Sequence, residues 1–354
     1  MSGAAGEGPR VSADTPLTGV VLLNMGGPDS LNAVRPFLAR LFSDKELIRL
    51  PAAMVTQPLF AWIVSGLRAR KVRRYYEEIG GGSPIASITE RQRLALEEAL
   101  RGTGGRFKVY TGMRYWYPLA RHAALEMKED GVARAIALPL YPHYCAATTG
   151  SSLNDLRRWL KWAGCSFPVT EIRSYPNHPK YVAALAETVE SAIRGADRDG
   201  IFLLFSAHGV PQALIDGGDP YRAETERTVA AVMRGFPGLP HGISFQSRAG
   251  RAVWLAPDTV DEVTRLARAG VKTLVVVPVS FVSDHIETLH ELDVRLAAHA
   301  RGVGIQSFLR APALNDAPLF ISALKDLVLG VGGGHSSPDP PTIQECPPER
   351  EAHE

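Results

Sequence analysis

The segment "VSFVSDHIETLHELDVRL", residues 279–296, concentrates carboxylates and imidazoles directly after the apolar run "TLVVVPV". The candidate catalytic residues in it are Asp284, His285, Glu287 and Glu291. Carboxylates on one helical face at a strand end are suited to binding a cation or to moving protons. The segment therefore predicts a site that handles metal ions or protons.

The same segment also fits the start of an ordinary helix. Ser283 or Asp284 would be the N-cap residue, and Glu287 would complete a capping box with Asp284. Glu287 and Glu291, however, are like charges four residues apart, which costs roughly a few tenths of a kcal/mol in a helix. Capping and function are compatible, because Asp284 can begin a helix whose next turn faces a ligand.

His208 is a second candidate, in the stretch "LLFSAHGVP". It follows a buried strand and precedes a glycine, and a lone histidine in such a place is often only structural. Paired with Glu287 from an adjacent strand end, its neutral imidazole can accept protons or bind a divalent metal. His208 and Glu287 are therefore the candidate metal-binding and proton-accepting pair.

Nucleotide and nucleic-acid binding are not favoured. The glycine-rich stretches "NMGGP" and "EIGGGSPI" match neither GxxxxGK[ST] nor GxGxxG between a strand and a helix. "TTGSS" lacks the lysine that would contact a nucleotide phosphate. A net charge of +2 is too balanced for a nucleic-acid-binding protein.

Short β-branched runs alternate with helical patterns along the chain. The predicted strands are "GVVLLN", "RFKVYTG", "ARAIALP" and "PVTEIRS", and then "IFLLFSA", "HGISFQS", "KTLVVVPV" and "VGIQSFL". This alternation implies parallel sheets covered on both faces. We predict an α/β fold of two similar Rossmann-like domains, each with a four-stranded parallel sheet. The candidate residues follow the strands, where ligands bind in such sheets, so one cleft between the domains is expected.

The domain boundaries follow from the same pattern. Residues 1–16 are predicted to be a disordered leader, residues 17–170 the N-terminal α/β domain and residues 171–314 the C-terminal one. A last helix, residues 315–330, is predicted to pack on the N-terminal domain. The tail, residues 331–354, is rich in Gly, Pro and Ser and is predicted to be unstructured.

The stretch "QPLFAWIVSGLRARKVRRYYEE" carries large apolar residues followed by a basic run. It fits an amphipathic helix of the first domain. It also fits a hydrophobic lip beside a basic edge, suited to a flat, apolar, acidic ligand or to a membrane surface. The chain lacks an uninterrupted apolar run of about twenty residues. We therefore expect a cytoplasmic protein, with a peripheral contact to the inner membrane left open.

Taken together, the motifs resemble those of the ferrochelatases, here of bacterial type, which insert ferrous iron into protoporphyrin IX as the terminal step of haem synthesis. The resemblance runs from about Gly19 to Leu329 and implies the two-domain, chelatase-type α/β fold. It rests on "LLNMGGPDS", "YYEEIGGGSPI", "YPHYCAATTGSS", "LLFSAHGVP", "FQSRAG…WLAP" and "SFVSDHIETLHELD", in that order.

The resemblance also implies residue roles. His208 and Glu287 match the family's essential histidine and glutamate, which handle iron and protons. The rest of an acidic line that relays protons or delivers metal matches Asp284, His285 and Glu291. The positions that match porphyrin-binding residues are Met25, Tyr76, Ser83, Arg114, Tyr141 and Trp254. The sequence leaves open whether iron arrives from the His208 side or the Met25 side.

The cysteines depart from one pattern in the family. Some ferrochelatases hold an iron–sulfur cluster with one mid-chain cysteine and three near the C terminus. Here the tail has only Cys346, and Cys145 lies one place before Ala146, which aligns with the mid-chain ligand. Because a cluster needs about four thiolates, we expect no iron–sulfur cluster, and no cofactor beyond the ferrous substrate.

Three alternatives stay open: a coproporphyrin ferrochelatase, a cobaltochelatase acting on a corrin precursor, and a non-catalytic tetrapyrrole carrier. The chelatases differ in the number of carboxylates on the ring, and the apolar lip around Trp62 favours the less acidic protoporphyrin. A carrier needs an axial ligand but no proton relay, so the presence of both His208 and Glu287 favours an enzyme. The oligomeric state does not follow from the sequence.

Overall fold

The computed structural model describes residues 15–47, 53–196, 200–248, 252–333 and 342–346. The strands are β1 (Leu17–Asn24), β2 (Arg106–Met113), β3 (Arg134–Pro139), β4 (Val169–Ser174), β5 (Ile201–His208), β6 (His241–Gln246), β7 (Thr273–Pro278), β8 (Ser307–Arg310) and β9 (Thr342–Cys346). The α-helices are α1 (Val34–Phe42), α2 (Ala53–Glu78), α3 (Ile85–Leu100), α4 (Ala120–Glu129), α5 (Ser151–Ala163), α6 (Pro179–Ile193), α7 (Gln212–Asp216), α8 (Tyr221–Met233), α9 (Thr259–Arg268), α10 (Ala297–Gly302) and α11 (Pro318–Gly333). Two segments are π-helical: Ala146–Gly150 after β3, and Glu287–Leu296 after β7. The second of these is called the acidic π-helix below.

Two parallel sheets share one strand order. The first runs β2-β1-β3-β4 and the second β6-β5-β7-β8, with helices in the connections. Every residue of β1 is buried, as expected for a central strand of a sheet covered on both faces. The α/β fold with two four-stranded parallel sheets is therefore confirmed.

The tail adds a strand that the composition did not predict. Residues 342–346 form β9, which pairs antiparallel with β4 and so covers the edge of the first sheet. This pairing departs from the expectation of an unstructured tail after residue 331. The first sheet also continues through Ser174, past the boundary predicted at residue 170. Residues 1–14 of the predicted leader and residues 334–341 and 347–354 of the tail lie outside the described residues.

Local sequence signals mark several helix ends. Helix α6 begins at Pro179, whose fixed φ suits a first helical turn. The carboxylate of Asp258 accepts hydrogen bonds from the N–H groups of Val260 and Asp261 at the start of α9. Helix α5 ends at Gly164, which has a left-handed φ of 70°. These signals set where each connection returns to its sheet.

One apolar core cluster runs through both halves of the molecule. It includes Leu22 of the first sheet, Phe205 of the second, Tyr181 of α6 and Phe320 of α11. Helix α11 packs on both α3 and α6. Because the two sheets share this core, the loops after their strands are held in a constant relation to each other.

Buried polar contacts also join the two halves. The carboxylate of Glu224, on α8, accepts hydrogen bonds from Tyr144 N–H at 2.7 Å and Ser174 Oγ at 2.9 Å, both in the first half. Gln92 on α3 donates to Ser283 Oγ at 3.1 Å and to Asn315 O at 2.7 Å in the second half. Each contact attaches a loop at the strand ends to the other half.

We predict that Glu224→Ala lowers the free energy of unfolding by about 1–3 kcal/mol, because it removes the two hydrogen bonds that Glu224 accepts from the Tyr144 N–H and the Ser174 hydroxyl. Urea unfolding followed by circular dichroism measures the change. Glu226→Ala is the matched control: it removes a half-exposed pair with Arg222 and should cost less than about 0.5 kcal/mol. Equal losses in both variants would show that the buried contacts add nothing.

Candidate active site

The candidate residues meet at the carboxyl ends of adjacent strands. Strand β5 ends at His208, and β7, which pairs with β5 in parallel, leads into the acidic π-helix that begins at Glu287. A π-helix is uncommon and is frequently found at functional sites. Strand adjacency therefore brings two side chains together that are far apart in the sequence.

His208 and Glu287 form a direct pair, with 2.8 Å between His208 Nδ1 and Glu287 Oε2. Burial lowers the pKa of His208, but the charges of Glu287 and Glu291 outweigh it, so the pKa lies above 6.5. Burial raises the pKa of Glu287, but His208 outweighs it and brings the value to about 2. Each partner thus stabilises the charged form of the other, while one third of the His208 side chain stays exposed.

Glu291 lies beside this pair, and its pKa is shifted in the opposite direction from that of Glu287. Burial and the charge of Glu287 both raise the pKa of Glu291. Its carboxylate accepts hydrogen bonds from Ser247 N–H at 3.2 Å and from Ser247 Oγ at 2.6 Å. Ser247 Oγ also lies 3.4 Å from Glu287 Oε2, so one hydroxyl bridges the two carboxylates.

Sequence reasoning did not select Ser247, although it follows β6 directly, as the other candidates follow their strands. Its φ of 67° is in the left-handed region, which a non-glycine residue rarely adopts. Its neighbour Gln246 donates to Glu287 O at 3.1 Å. The unfavourable φ directs both the N–H and the hydroxyl of Ser247 at Glu291.

A closed set of hydrogen bonds holds the backbone of His208. Tyr221 donates its hydroxyl to His208 O at 2.9 Å, and His208 N–H donates to Ser280 Oγ at 3.3 Å. The two hydroxyls of Tyr221 and Ser280 are 2.6 Å apart. Neither residue was predicted from the sequence, because hydroxyls that bind backbone leave no motif.

Asp284 and His285 are near the pair but have other partners. Asp284 is bound by Arg310 at 3.2 Å, by Asn315 Nδ2 at 2.9 Å and by Thr288 Oγ1 at 3.0 Å. It therefore anchors the start of the acidic π-helix.

His285 is buried, and its Nδ1 donates to the carbonyl oxygen of Ser283 at 3.1 Å. Burial lowers the pKa of His285, so the ring is neutral. It packs against Phe281, with 4.6 Å between ring centroids, and Phe281 in turn contacts the His208 ring at 6.0 Å.

Met25 and Tyr76 belong to an apolar wall on the first half. Both pack in one cluster that also includes Ile286 from the second half. Burial raises the pKa of Tyr76, and the charge of Glu287 raises it further. Ser83 lies next to Gly27, where an added Cβ would be only 2.7 Å from Ser83 Cβ. These residues thus form a compact surface after β1 and α2.

Arg114 and Tyr141 lie at a second, polar part of the first half. Arg114 donates to Asp44 Oδ2 at 2.7 Å and to Ser151 Oγ at 2.9 Å, and lies 3.5 Å from Asp155. Burial raises the pKa of Tyr141, and the charge of Arg114 opposes this rise without reversing it. The guanidinium is therefore already paired with two buried carboxylates, a setting that the sequence did not indicate.

Trp254 lies beside the turn that follows His208. A Cβ added to Gly209 would lie 3.5 Å from the Trp254 ring and 2.7 Å from Gln246 O, so only glycine fits there. The Trp254 Nε1 atom is buried and has no hydrogen-bond partner among the described residues.

The arrangement combines an imidazole–carboxylate pair, a second carboxylate that holds protons more readily, and an apolar wall. It can accept protons from an apolar ligand and transfer them between carboxylates. In the described part of the chain, no three His, Cys, Asp or Glu side chains are grouped as ligands of a metal ion.

Comparisons with known proteins identify the family to which the chain is similar. The family model described as ferrochelatase matches residues 17–330. The ferrochelatase of Geotalea daltonii is 49% identical over 317 residues, which are 89% of this chain and 98% of the relative. The ferrochelatase of Picosynechococcus sp. is 46% identical over 316 residues, 88% of this chain and 81% of the relative.

Solved structures with the same fold are more distant in sequence. SirB from Bacillus subtilis, with Fe3+, aligns with a TM-score of 0.55 at 9% identity and covers 90% of this chain and 96% of its own. The sirohydrochlorin chelatase SirB from B. subtilis subspecies spizizenii, in complex with cobalt, aligns with a TM-score of 0.50 at 9% identity and covers 88% of this chain and 94% of its own. These likenesses show a shared fold.

We predict that the pKa of His208, measured from its ring proton shifts by NMR, lies above 6.5 in the wild type and below 6.5 in Glu287→Gln. Without the carboxylate, burial is the dominant influence on the ring, and burial lowers the pKa. A value above 6.5 in both proteins would contradict this account of the pair.

The same pKa shifts determine how the contribution of the pair to stability depends on pH. The raised pKa of His208 stabilises the fold fully below pH 6.5, and that contribution is lost as the pH rises through the folded-state value. The lowered pKa of Glu287 stabilises the fold above pH 4.5, and that contribution is lost as the pH falls towards about 2. The pair therefore contributes most between pH 4.5 and 6.5.

Proposed function

The chain belongs to the ferrochelatase family, whose reaction is metal insertion into a porphyrin in haem synthesis, and we propose that its substrates are ferrous iron and protoporphyrin IX. The observation that carries the proposal is the 2.8 Å contact between His208 and Glu287, with Glu291 beside it. Iron replaces two pyrrole hydrogens, which leave as protons, and the iron stays ferrous. The site must therefore accept two protons for each haem formed.

His208 is the proposed first proton acceptor. Because Nδ1 donates to Glu287, the neutral ring keeps its lone pair on Nε2. The raised pKa of His208 favours the transfer, and Glu287 balances the resulting charge. As proposed metal ligands, His208 and Glu287 would also meet the incoming iron, since imidazole nitrogen and carboxylate oxygen both coordinate ferrous ion.

Ser247 supports a route for protons away from the pair. Its hydroxyl lies 3.4 Å from Glu287 and 2.6 Å from Glu291, so it can accept a proton from one carboxylate while donating its own to the other. The pKa of Glu291 is raised while that of Glu287 is lowered, so the proton moves toward Glu291. We assign Asp284 and His285 to supporting positions at the start of this line.

The apolar wall is the proposed porphyrin surface. A pyrrole nitrogen presents a usable lone pair to iron only when the ring is bent out of plane, and a tight cleft that bends it lowers the barrier. We propose that Met25, Tyr76 and Trp254 contact the ring, with Ser83 nearby. The position of the Trp254 ring beside Gly209, the residue after His208, supports its place in this set.

Two features favour protoporphyrin over the more acidic coproporphyrin. The lip on α2 is strongly apolar, with Trp62 65% exposed and Leu67 78% exposed. Arg114, a proposed propionate contact with Tyr141, is already paired with Asp44 and Asp155. Its positive charge is compensated, so it adds little attraction for further carboxylates.

We also propose that the protein carries no iron–sulfur cluster. Burial and the nearby Asp219 raise the pKa of Cys145 to about 12, which disfavours the thiolate that a cluster needs. Cys165 lies on a different element, after α5. The side chain of Cys346 lies outside the described residues.

We propose a cytoplasmic protein. The α2 surface supports a peripheral contact of this protein with the inner membrane. Leu59, Trp62, Ile63 and Leu67 are exposed on it, and basic residues follow along the same helix. Apolar and tryptophan side chains enter the interface while cations meet anionic headgroups. No helix in the described ranges is long and apolar enough to cross a membrane.

We predict that His208→Ala and Glu287→Gln each lower kcat for iron insertion by about 10²–10⁴-fold, because each removes a proton-transfer group. The assay is anaerobic and follows porphyrin absorbance with ferrous iron and protoporphyrin IX. Glu226→Gln, an exposed carboxylate on α8, is the control and should retain wild-type kcat. No turnover by the wild type with any divalent metal, together with tight haem retention, would instead indicate a carrier.

We predict that the protein cosediments with vesicles containing anionic lipid, and that Trp62→Ser with Leu67→Ser weakens this binding by about tenfold, since large apolar side chains dominate interfacial burial. Val260→Ser, which removes an exposed apolar residue at the start of α9, is the control. Equal binding by all three proteins would contradict a role for α2 at a membrane.

A further inference from the structure

The last turn of α2 is clasped to the acidic π-helix by His290. The His290 side chain is 3% exposed, and its Nε2 lies 3.1 Å from Glu78 Oε2. On its flat face it stacks on Tyr75, with 4.1 Å between ring centroids and 29° between the planes. One histidine thus contacts two residues of α2, through a hydrogen bond and a ring stack.

The clasp lies on the face of the helix next to the catalytic carboxylates. Ile286 and His290, four residues apart, both point to α2, where Ile286 packs in the cluster of Tyr76. Glu287 and Glu291, also four residues apart, point to His208 and Ser247. Residues four apart share a face of a helix, so the two pairs occupy adjacent faces of one turn.

The charges around His290 come from both packed elements. Burial lowers the pKa of His290, and Glu78 opposes this without reversing it, so the ring is neutral and donates its Nε2 hydrogen to the carboxylate. Arg295, on the acidic π-helix, and Lys71, on α2, lie 6.0 and 5.8 Å from the Tyr75 ring. The Tyr75 ring thus stacks on the histidine and lies near two cations.

We propose that His290 is a positioning residue: by clasping the acidic π-helix to α2, it sets the rotation of the turn that presents Glu287 to His208 and Glu291 to Ser247. Without the clasp, the turn can rotate about its axis, and both carboxylates move with it. Displacements of about 1 Å at a reacting group are known to reduce rates by about a hundredfold. The inference rests on the proposed roles of His208 and Glu287.

The contact of His290 with α2 also connects the acidic π-helix to the helix that carries the apolar lip. This helix carries the exposed apolar lip, and Tyr76 at its end packs in the same cluster as Ile286, which directly precedes Glu287. The clasp therefore connects the helix that carries the lip to the turn that presents Glu287 and Glu291. A ligand that displaces the end of α2 also displaces the catalytic carboxylates.

The test compares His290→Ala with His290→Gln, whose amide can still donate to Glu78, and with Glu77→Ala as an exposed neighbour control. In the alanine variant we expect kcat for iron insertion to fall by at least about tenfold, with KM for porphyrin within about twofold of the wild type. The glutamine variant should keep most of the wild-type kcat, and Glu77→Ala should match the wild type.

A readout that needs no turnover accompanies the kinetics: the NMR titration of His208. In His290→Ala, we expect its pKa to fall toward 6.5, because Glu287 no longer stays beside the ring. An unchanged titration and kcat, with only a lower melting temperature, would show that His290 is merely structural. A higher porphyrin KM at unchanged kcat would also overturn the proposal. If the wild type does not turn over but the pKa of His208 is still lower in His290→Ala than in the wild type, the proposed substrates are wrong and the positioning role of His290 stands.

Discussion

At the centre of the site, an imidazole and a carboxylate lie side by side, and each favours the charged form of the other. When the neutral His208 ring takes up a proton, Glu287 balances the new charge, and removal of either partner leaves the other without this compensation. Neighbouring residues hold the pair and Glu291 in place through hydrogen bonds. Tyr221 and Ser280 hold the backbone of His208, and Ser247 accommodates an unfavourable φ to direct its donors at Glu291.

The two halves use equivalent positions for different chemistry. In each sheet, one residue near the end of the second strand, Met113 of β2 or Phe245 of β6, donates its N–H to a proline carbonyl oxygen. Met25 and His208 both follow the residue that pairs with that position. One half therefore presents a thioether where the other presents an imidazole. The chemistry is asymmetric although the strand order is the same.

The acids of the segment after β7 differ in role because they have different partners. Asp284, Glu287 and Glu291 look alike in the sequence, yet Asp284 meets Arg310 and Asn315, whereas Glu287 meets His208. Arg310 ends β8, one whole crossover after β7, so its pairing with Asp284 depends on where β8 returns in the sheet. Contacts with Arg310 and Asn315 therefore make Asp284 a structural anchor, whereas Glu287 faces an imidazole that can exchange protons.

Hydrophobic period and residue type are local properties, so the sequence was enough to predict the α/β class, the loops that follow the strands, and His208 and Glu287 as candidate residues. Only the tertiary structure decided the partners: Ser247 at Glu291, the paired charge of Arg114, the clasp of His290 on α2, and the β9 strand in the tail. Each of these joins residues that are distant along the chain. Such contacts depend on how the elements pack, and local patterns carry no record of that packing.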